Sequence, residues 1–167
     1  GDGTFTDVAA QVGYKARYLP GDNGQTMCMW GAVPEDYDND GDMDLFFTLV
    51  HGGNDAHEGR SAIFVNGGAS DNYSLTPDRS LLTKKQPYSS HNGDYDASWL
   101  DMDNDGRMDL VTVQGHYMPA TDRMFIYRQG TDGKLTDIMG DLGLIRTETK
   151  DLHFVEAIDY DLDGDDD

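Results

Sequence analysis

Apolar positions in this chain fall in short runs, and the runs return in the same order. Asp44-Leu45-Phe46-Phe47-Thr48-Leu49-Val50 is apolar at consecutive positions, which predicts a strand buried on both faces. Asp109-Leu110-Val111-Thr112-Val113-Gln114 is its counterpart. Each is preceded by a mixed apolar stretch: Gln25 to Val33 before the first, Asp94 to Leu100 before the second. Leu152 to Ile158 is a third stretch of that kind. Each is followed, after a Gly- and His-bearing connection, by another short run, Ala62-Ile63-Phe64-Val65 and Met124-Phe125-Ile126-Tyr127. A Gly-rich turn then leads to a fourth element. Its copies are Thr4 to Val8, Asn72 to Pro77 and Lys134 to Ile138.

The unit is therefore four short strands, recurring at a period of about 60 residues, which points to a repeat architecture. Four antiparallel strands per repeat is the plan of a β-propeller blade. The expected fold is all-β. The expected domain is one β-propeller segment over residues 1–167, holding about 2.5 repeats.

Between the first and second strands of each unit lies an acidic loop. The first is Asp36-Tyr37-Asp38-Asn39-Asp40-Gly41-Asp42-Met43-Asp44. It returns as Asp101-Met102-Asp103-Asn104-Asp105-Gly106-Arg107-Met108-Asp109, and as Asp159-Tyr160-Asp161-Leu162-Asp163-Gly164-Asp165-Asp166-Asp167. Carboxylates stand at positions 1, 3, 5 and 9 of each loop, with glycine at 6. Alternate residues can turn their oxygens inward, the glycine permits a sharp bend, and the carbonyl at position 7 can add a ligand. This chemistry suits a hard cation, Ca²⁺, at about three sites.

Other Asp-rich loops fit less well. An EF-hand needs a bidentate Glu at position 12 and flanking helices, whereas position 12 here is Phe47 or Thr112 between strand-like flanks. A dockerin-type loop also leads into a helix. Tandem Gly-rich nonapeptides are absent, and the wide spacing and the lone Cys28 argue against thrombospondin-type repeats. Plain solvated turns would not repeat the same five positions three times.

The sequence has 167 residues, 32 acidic and 12 basic, for a formal net charge of −20. Nearly half of the acidic residues sit in the three loops, so the charge is focused into cation sites. Such a surface repels nucleic acid and bare anionic membrane. Cys28, alone, excludes an internal disulfide framework and reads as a buried thiol. No apolar run reaches membrane-spanning length.

The loop Asp36 to Asp44, running into Leu45-Phe46, together with Gly1-Asp2-Gly3-Thr4-Phe5-Thr6-Asp7-Val8, resembles FG-GAP/VCBS repeats. The likeness is greatest to the bacterial ASPIC/UnbV-like type, and extends to the calcium-bearing blades of integrin α heads. The resemblance implies a β-propeller, commonly seven-bladed, with Ca²⁺ in hairpin loops on one face. It implies as ligands Asp36, Asp38, Asp40 and Asp44, with Asp42 through its carbonyl. In the second loop they are Asp101, Asp103, Asp105 and Asp109, with Arg107 through its carbonyl. In the third they are Asp159, Asp161, Asp163 and Asp167, with Asp165 through its carbonyl. A seven-bladed ring would need about 420 residues. This chain is therefore expected to be part of a longer propeller, or to complete its terminal blades by self-association.

Other chemistry is sparse. No nucleophile elbow, zinc-protease helix or phosphate loop is present. Glu35, Glu58, Glu148 and Glu156 show no paired spacing and read as solvated surface. His51 and His116 share a place after their loops, which favours a structural role. His57, His91 and His153 share none. Trp30, Tyr37, Tyr95, Trp99 and Tyr117 could stack on sugars, but packing between blades is the expected use of Trp30 and Trp99. Asn72-Tyr73-Ser74 is a formal N-glycosylation triplet in a turn.

The expectation is a non-enzymatic, calcium-binding module, structural, adhesive or ligand-binding, at an extracellular, cell-surface or periplasmic location. Its partner would be a protein or a glycan. The alternatives are an accessory propeller of a polysaccharide-active enzyme, or a lectin.

Overall fold

The computed structural model describes residues 3–13, 27–51, 61–83, 94–114, 124–144 and 152–164. The side chains of Cys28 and His51, and the whole of Glu58, His57, His91, His116, Tyr117, Glu148, Asp165 and Asp167, lie outside what is described.

Among the described residues the strands form two sheets. The first runs β1 (Met27–Glu35), β2 (Asp44–His51), β3 (Ala62–Asn66) and β4 (Leu75–Asp78), in that spatial order and antiparallel throughout. The second contains β6 (Asp94–Leu100), β7 (Asp109–Gln114), β8 (Met124–Gln129) and β9 (Leu135–Asp137), again antiparallel in sequence order. A two-residue strand, β5 (Leu82–Thr83), adds to β9 in parallel. The four-strand unit expected from the apolar runs is present twice.

The acidic loops close the first hairpin of each sheet in identical register. Glu35 pairs with Asp44 across the first loop, and Leu100 with Asp109 across the second. Both first strands also carry a bulge at the same place. Trp30 is the extra residue between Met29 and Gly31, and Tyr95 the extra residue between Asp94 and Asp96. A bulge turns its side chain away from the regular alternation of the strand.

The core lies between the sheets. Phe46 and Ile63 from the first sheet meet Ala97, Trp99, Leu110, Phe125, Tyr127 and Leu135 from the second, with Tyr37 closing the loop side. Trp99 stands edge-on to Phe46 at 6.2 Å between ring centres and stacks against Tyr37 at 6.4 Å. The other face of β2 and β3 holds a second cluster, in which Phe47 and Phe64 meet edge-to-face at 4.8 Å. The strand apolar on both faces is thus buried on both faces.

The sheets are joined to the preceding chain in one recurring way. Leu75 N–H donates to the Val12 carbonyl at 2.9 Å, and Leu135 N–H donates to the Leu81 carbonyl at 2.8 Å. Leu75 and Leu135 occupy the same register, opposite Asn66 and Gln129. Each fourth strand is therefore held by the segment that leads into the first strand of its own sheet.

Three expectations need correction. Thr4 to Val8 forms no strand, since among the described residues no ladder reaches it, and Phe5 is fully exposed. Leu152 to Ile158 likewise forms no ladder. It runs beside β6, and side chains rather than backbone take its amides: Val155 N–H donates to Asp96 Oδ2 at 3.1 Å, and Ala157 N–H to Ser98 Oγ at 3.0 Å. Trp30 does not pack in the core. It is 59% exposed, because the bulge directs it outward, whereas Trp99 is 7% exposed as expected.

Ala157 precedes its acidic loop by the same interval as Trp99 precedes its own. The small residue leaves an apolar groove of about 330 Å³ against Leu100, Val111, Met124 and Ile126. No helix among the described residues is long and apolar enough to cross a membrane.

Candidate metal centres

The three acidic loops fold alike because their first aspartate organises each of them. Asp36 takes the N–H of Asp40 on Oδ1 and the N–H of Gly41 on Oδ2, both at 2.9 Å. Asp101 does the same with Asp105 and Gly106, at 3.0 and 2.8 Å. Asp159 does it with Asp163 and Gly164, at 3.1 and 3.0 Å. One carboxylate thereby satisfies two amides that a bend this tight withdraws from any ladder.

Two positions of each loop enter the left-handed region. Glycine at position 6 does so in all three, with φ of 93°, 82° and 100° for Gly41, Gly106 and Gly164. Position 4 does so as well, with φ of 59° for Asn39, 56° for Asn104 and 63° for Leu162. Asparagine tolerates that conformation, and leucine does so at a cost. The role of position 4 is absent from the expectations above. The asparagine in two of three copies was its signal.

The ninth position is held by the neighbouring strand. Asp44 accepts the Tyr37 N–H on Oδ2 at 3.2 Å and the Asn66 N–H on Oδ1 at 2.7 Å. Asp109 repeats this with Met102 at 3.2 Å and Gln129 at 2.7 Å. Asn66 and Gln129 end the third strands, so the sheet itself fixes where these two carboxylates stand. Both are 1% exposed. Burial pushes the Asp44 carboxyl up to about 6, against the opposing pull of the Asn66 amide, and the charges of Asp38 and Asp40 add to the rise. Burial raises Asp109 too, with Asp103 and Asp101 as the neighbouring charges. Burial and then Asp40 raise Asp38. A buried anion beside other anions is costly, and a cation placed among them would reverse that cost.

In the first loop, oxygens of Asp36, Asp38 and Asp40 lie within 4.8 Å of one another. In the second the converging set is Asp101, Asp103 and Asp109, and in the third Asp159, Asp161 and Asp163. The difference at the second loop has a visible cause. Arg107 Nη2 pairs with Asp105 Oδ2, and Arg107 Nε donates to the Gln129 carbonyl at 3.2 Å. The guanidinium draws Asp105 away from the other carboxylates. Arg128 also approaches Asp103, at 3.7 Å. Asp42 turns toward the following turn, where a Cβ at Gly68 would collide with its carboxylate. The side chains at position 7 are therefore engaged outside the cluster in both loops. Position 7 amides donate to position 5, Asp42 to Asp40 at 2.9 Å and Arg107 to Asp105 at 3.0 Å. In the third loop, Asp165 and Asp167 lie outside the described residues.

The first two loops also touch. Asn39 Nδ2 donates to the Gly106 carbonyl at 3.2 Å, and Gln129 Nε2 donates to the Tyr37 carbonyl at 2.8 Å. The loops therefore lie side by side on one edge of the two sheets. Comparison with protein-family models matches residues 36–112 to the FG-GAP-like repeat. Residues 36–112 are thus similar to the FG-GAP-like repeat, over just under half of the chain. The match opens on Asp36 and ends in β7, so it takes in both loops, the first sheet from β2 onward and the hairpin of the second. Neither the curated proteins nor the solved structures contain a match to the chain. The matched segment belongs to the all-β scaffold, and its acidic loops are where the carboxylates converge.

Proposed function

We propose that the three loops bind Ca²⁺ and that the chain is a calcium-stabilised piece of a β-propeller. Its sheets are the blades, and it acts outside the cytoplasm as a structural, adhesive or ligand-binding module. One observation supports this above the rest. In every loop the first aspartate takes the amides of positions 5 and 6, which aims the carboxylates at positions 1 and 3 and at 5 or 9 toward one point. Hard, flexible, oxygen-rich coordination of that kind suits Ca²⁺ better than a transition metal. The FG-GAP-like match gives the same direction.

Extracellular modules of this chemistry bind with Kd of roughly 10⁻⁴–10⁻³ M. Millimolar Ca²⁺ would then stabilise the fold by roughly 1 kcal/mol per site. Thermal melts with millimolar Ca²⁺ and with chelator test the reading, and isothermal titration counts the sites. A melting temperature indifferent to chelator would overturn it.

A further inference from the structure

We propose that the first strands carry a second binding site, an aromatic row beside an acidic groove that takes the cationic side chain of an arginine- or lysine-bearing partner. Trp30, Tyr95 and His153 each precede the first aspartate of their loop by the same interval. They meet in sequence: Trp30 and Tyr95 at 4.7 Å between ring centres and 61° between planes, Tyr95 and His153 at 5.4 Å and 40°. Phe154 extends the row at 6.4 Å from His153 and is 86% exposed.

The core does not require this row. Trp30 and Tyr95 are the extra residues of two matching bulges, and neither ring belongs to the inter-sheet core. Bulges that re-aim a side chain are enriched beside functional sites. Thr48 Oγ1 lies 3.4 Å from both the Gly31 and the Tyr95 carbonyls and so ties the two bulges together. Trp30, His153 and Phe154 are exposed and Tyr95 is half-buried, so the row presents an aromatic surface beside β1 and β6.

Charge selects the ligand. Beside the row lies a groove of about 540 Å³, lined by Val33, Ser98 and Phe154 together with the acidic residues Asp96 and Glu156. Among the described residues no basic side chain lines it. Asp96 is held in place through Oδ2, which accepts the Val155 amide. Aromatic faces attract cations through their quadrupole, and tilted rings beside carboxylates suit a guanidinium or alkylammonium group. The net charge of −20 favours a cationic partner by long-range attraction. Glu156, Asp96, His153 and the ring of Tyr95 are the charged and polar groups that such a ligand would meet.

The inference adds a ligand class to the module proposed above, and it can fail alone. Calcium binding is read by calorimetry, and this site by the tryptophans. The chain has two: Trp30 in the row and Trp99 in the core, whose indole N–H donates to the Val33 carbonyl. In saturating Ca²⁺ and 150 mM salt, roughly one Debye length of 8 Å, the chain is titrated with a tri-arginine peptide while both indole N–H resonances are followed by NMR. The expected result is a saturable shift of Trp30 with Trp99 unmoved. Trp30→Leu, which lacks the reporter indole and is followed through its backbone amide resonances, and Asp96→Asn should each weaken binding by roughly two- to fivefold, with amide spectra showing both variants folded. Four outcomes would overturn the proposal. The tri-citrulline peptide could shift Trp30 equally, or a neutral cello-oligosaccharide could do so in its place. The peptide could shift neither indole. Or its affinity could be unchanged in both variants, which would mean diffuse attraction to the acidic surface.

Discussion

Trp99 in β6 donates its indole N–H to the carbonyl of Val33 in β1 at 3.3 Å, bridging the two sheets. The same ring packs between Phe46 and Tyr37. One side chain therefore fills the inter-sheet core and satisfies a backbone acceptor. Trp99→Ala should destabilise the chain by about 3–5 kcal/mol, the range for an aromatic removed from a packed core. Trp99→Phe should cost about 1–2 kcal/mol, mostly for the lost indole hydrogen bond. Denaturant unfolding in saturating Ca²⁺ measures both. Equal losses in the two variants would show that the hydrogen bond, and not ring volume, dominates.

Asp44 offers a test in which the sign changes with metal. Its buried carboxylate is anchored by Tyr37 and Asn66 and crowded by Asp38 and Asp40. Without metal that charge opposes folding. With metal it is a ligand. Asp44→Asn should therefore raise the melting temperature in chelator and lower it in millimolar Ca²⁺. Each effect should be about 1–2 kcal/mol. Melts of the two proteins under both conditions should cross. Destabilisation of the variant in both would mean that Asp44 acts only as a hydrogen-bond acceptor.

The second loop differs from the first by Arg107, whose guanidinium occupies Asp105. Arg107→Ala should free that carboxylate and tighten the second site by roughly two- to fivefold, the scale of a half-exposed ion pair. Asp103→Ala should abolish binding there while leaving the first site intact. Calorimetric titration resolves both changes. Loss of binding in Arg107→Ala would show that its side chain, and not its carbonyl, matters to the loop.

Leu162 holds φ at 63°, where the other loops place Asn39 and Asn104. Its side chain is 86% exposed, so no packing is lost on replacing it. Leu162→Asn should stabilise the third loop by about 1 kcal/mol by removing left-handed strain. The third site should fill at lower Ca²⁺ in the variant. Weaker binding at that site would indicate a contact made by the leucine.

How much of this was legible in the sequence follows from which forces are local. Loop geometry is local: a carboxylate at position 1 reaches the amides at 5 and 6, so the spacing in Asp36 to Asp44 was enough to anticipate a converging cluster. Strand order was legible as well, since the apolar runs alternate with turn residues at a fixed period. The double burial of β2 followed from consecutive Leu45-Phe46-Phe47 for the same reason.

The fate of the two tryptophans was not legible. Both lie in first strands, and their apolar character is the same. Only the cross-strand register shows that Trp30 is an unpaired bulge residue and Trp99 a paired one, which sends one to solvent and the other to the core. The strand at Leu152 to Ile158 was misread for a related reason. A strand exists only where a partner offers its backbone, and Asp96 and Ser98 offer side chains instead. The capture of Asp44 by Asn66 likewise joins residues far apart in the chain, and Arg107, only two residues from Asp105, is also held by the distant Gln129 carbonyl. The sequence by itself determined the repeat, most of the strands and the acidic loops, because those depend on near neighbours. Tertiary structure decided which rings are exposed, which carboxylates are buried and which are already paired, because those depend on groups the folded sheets bring together.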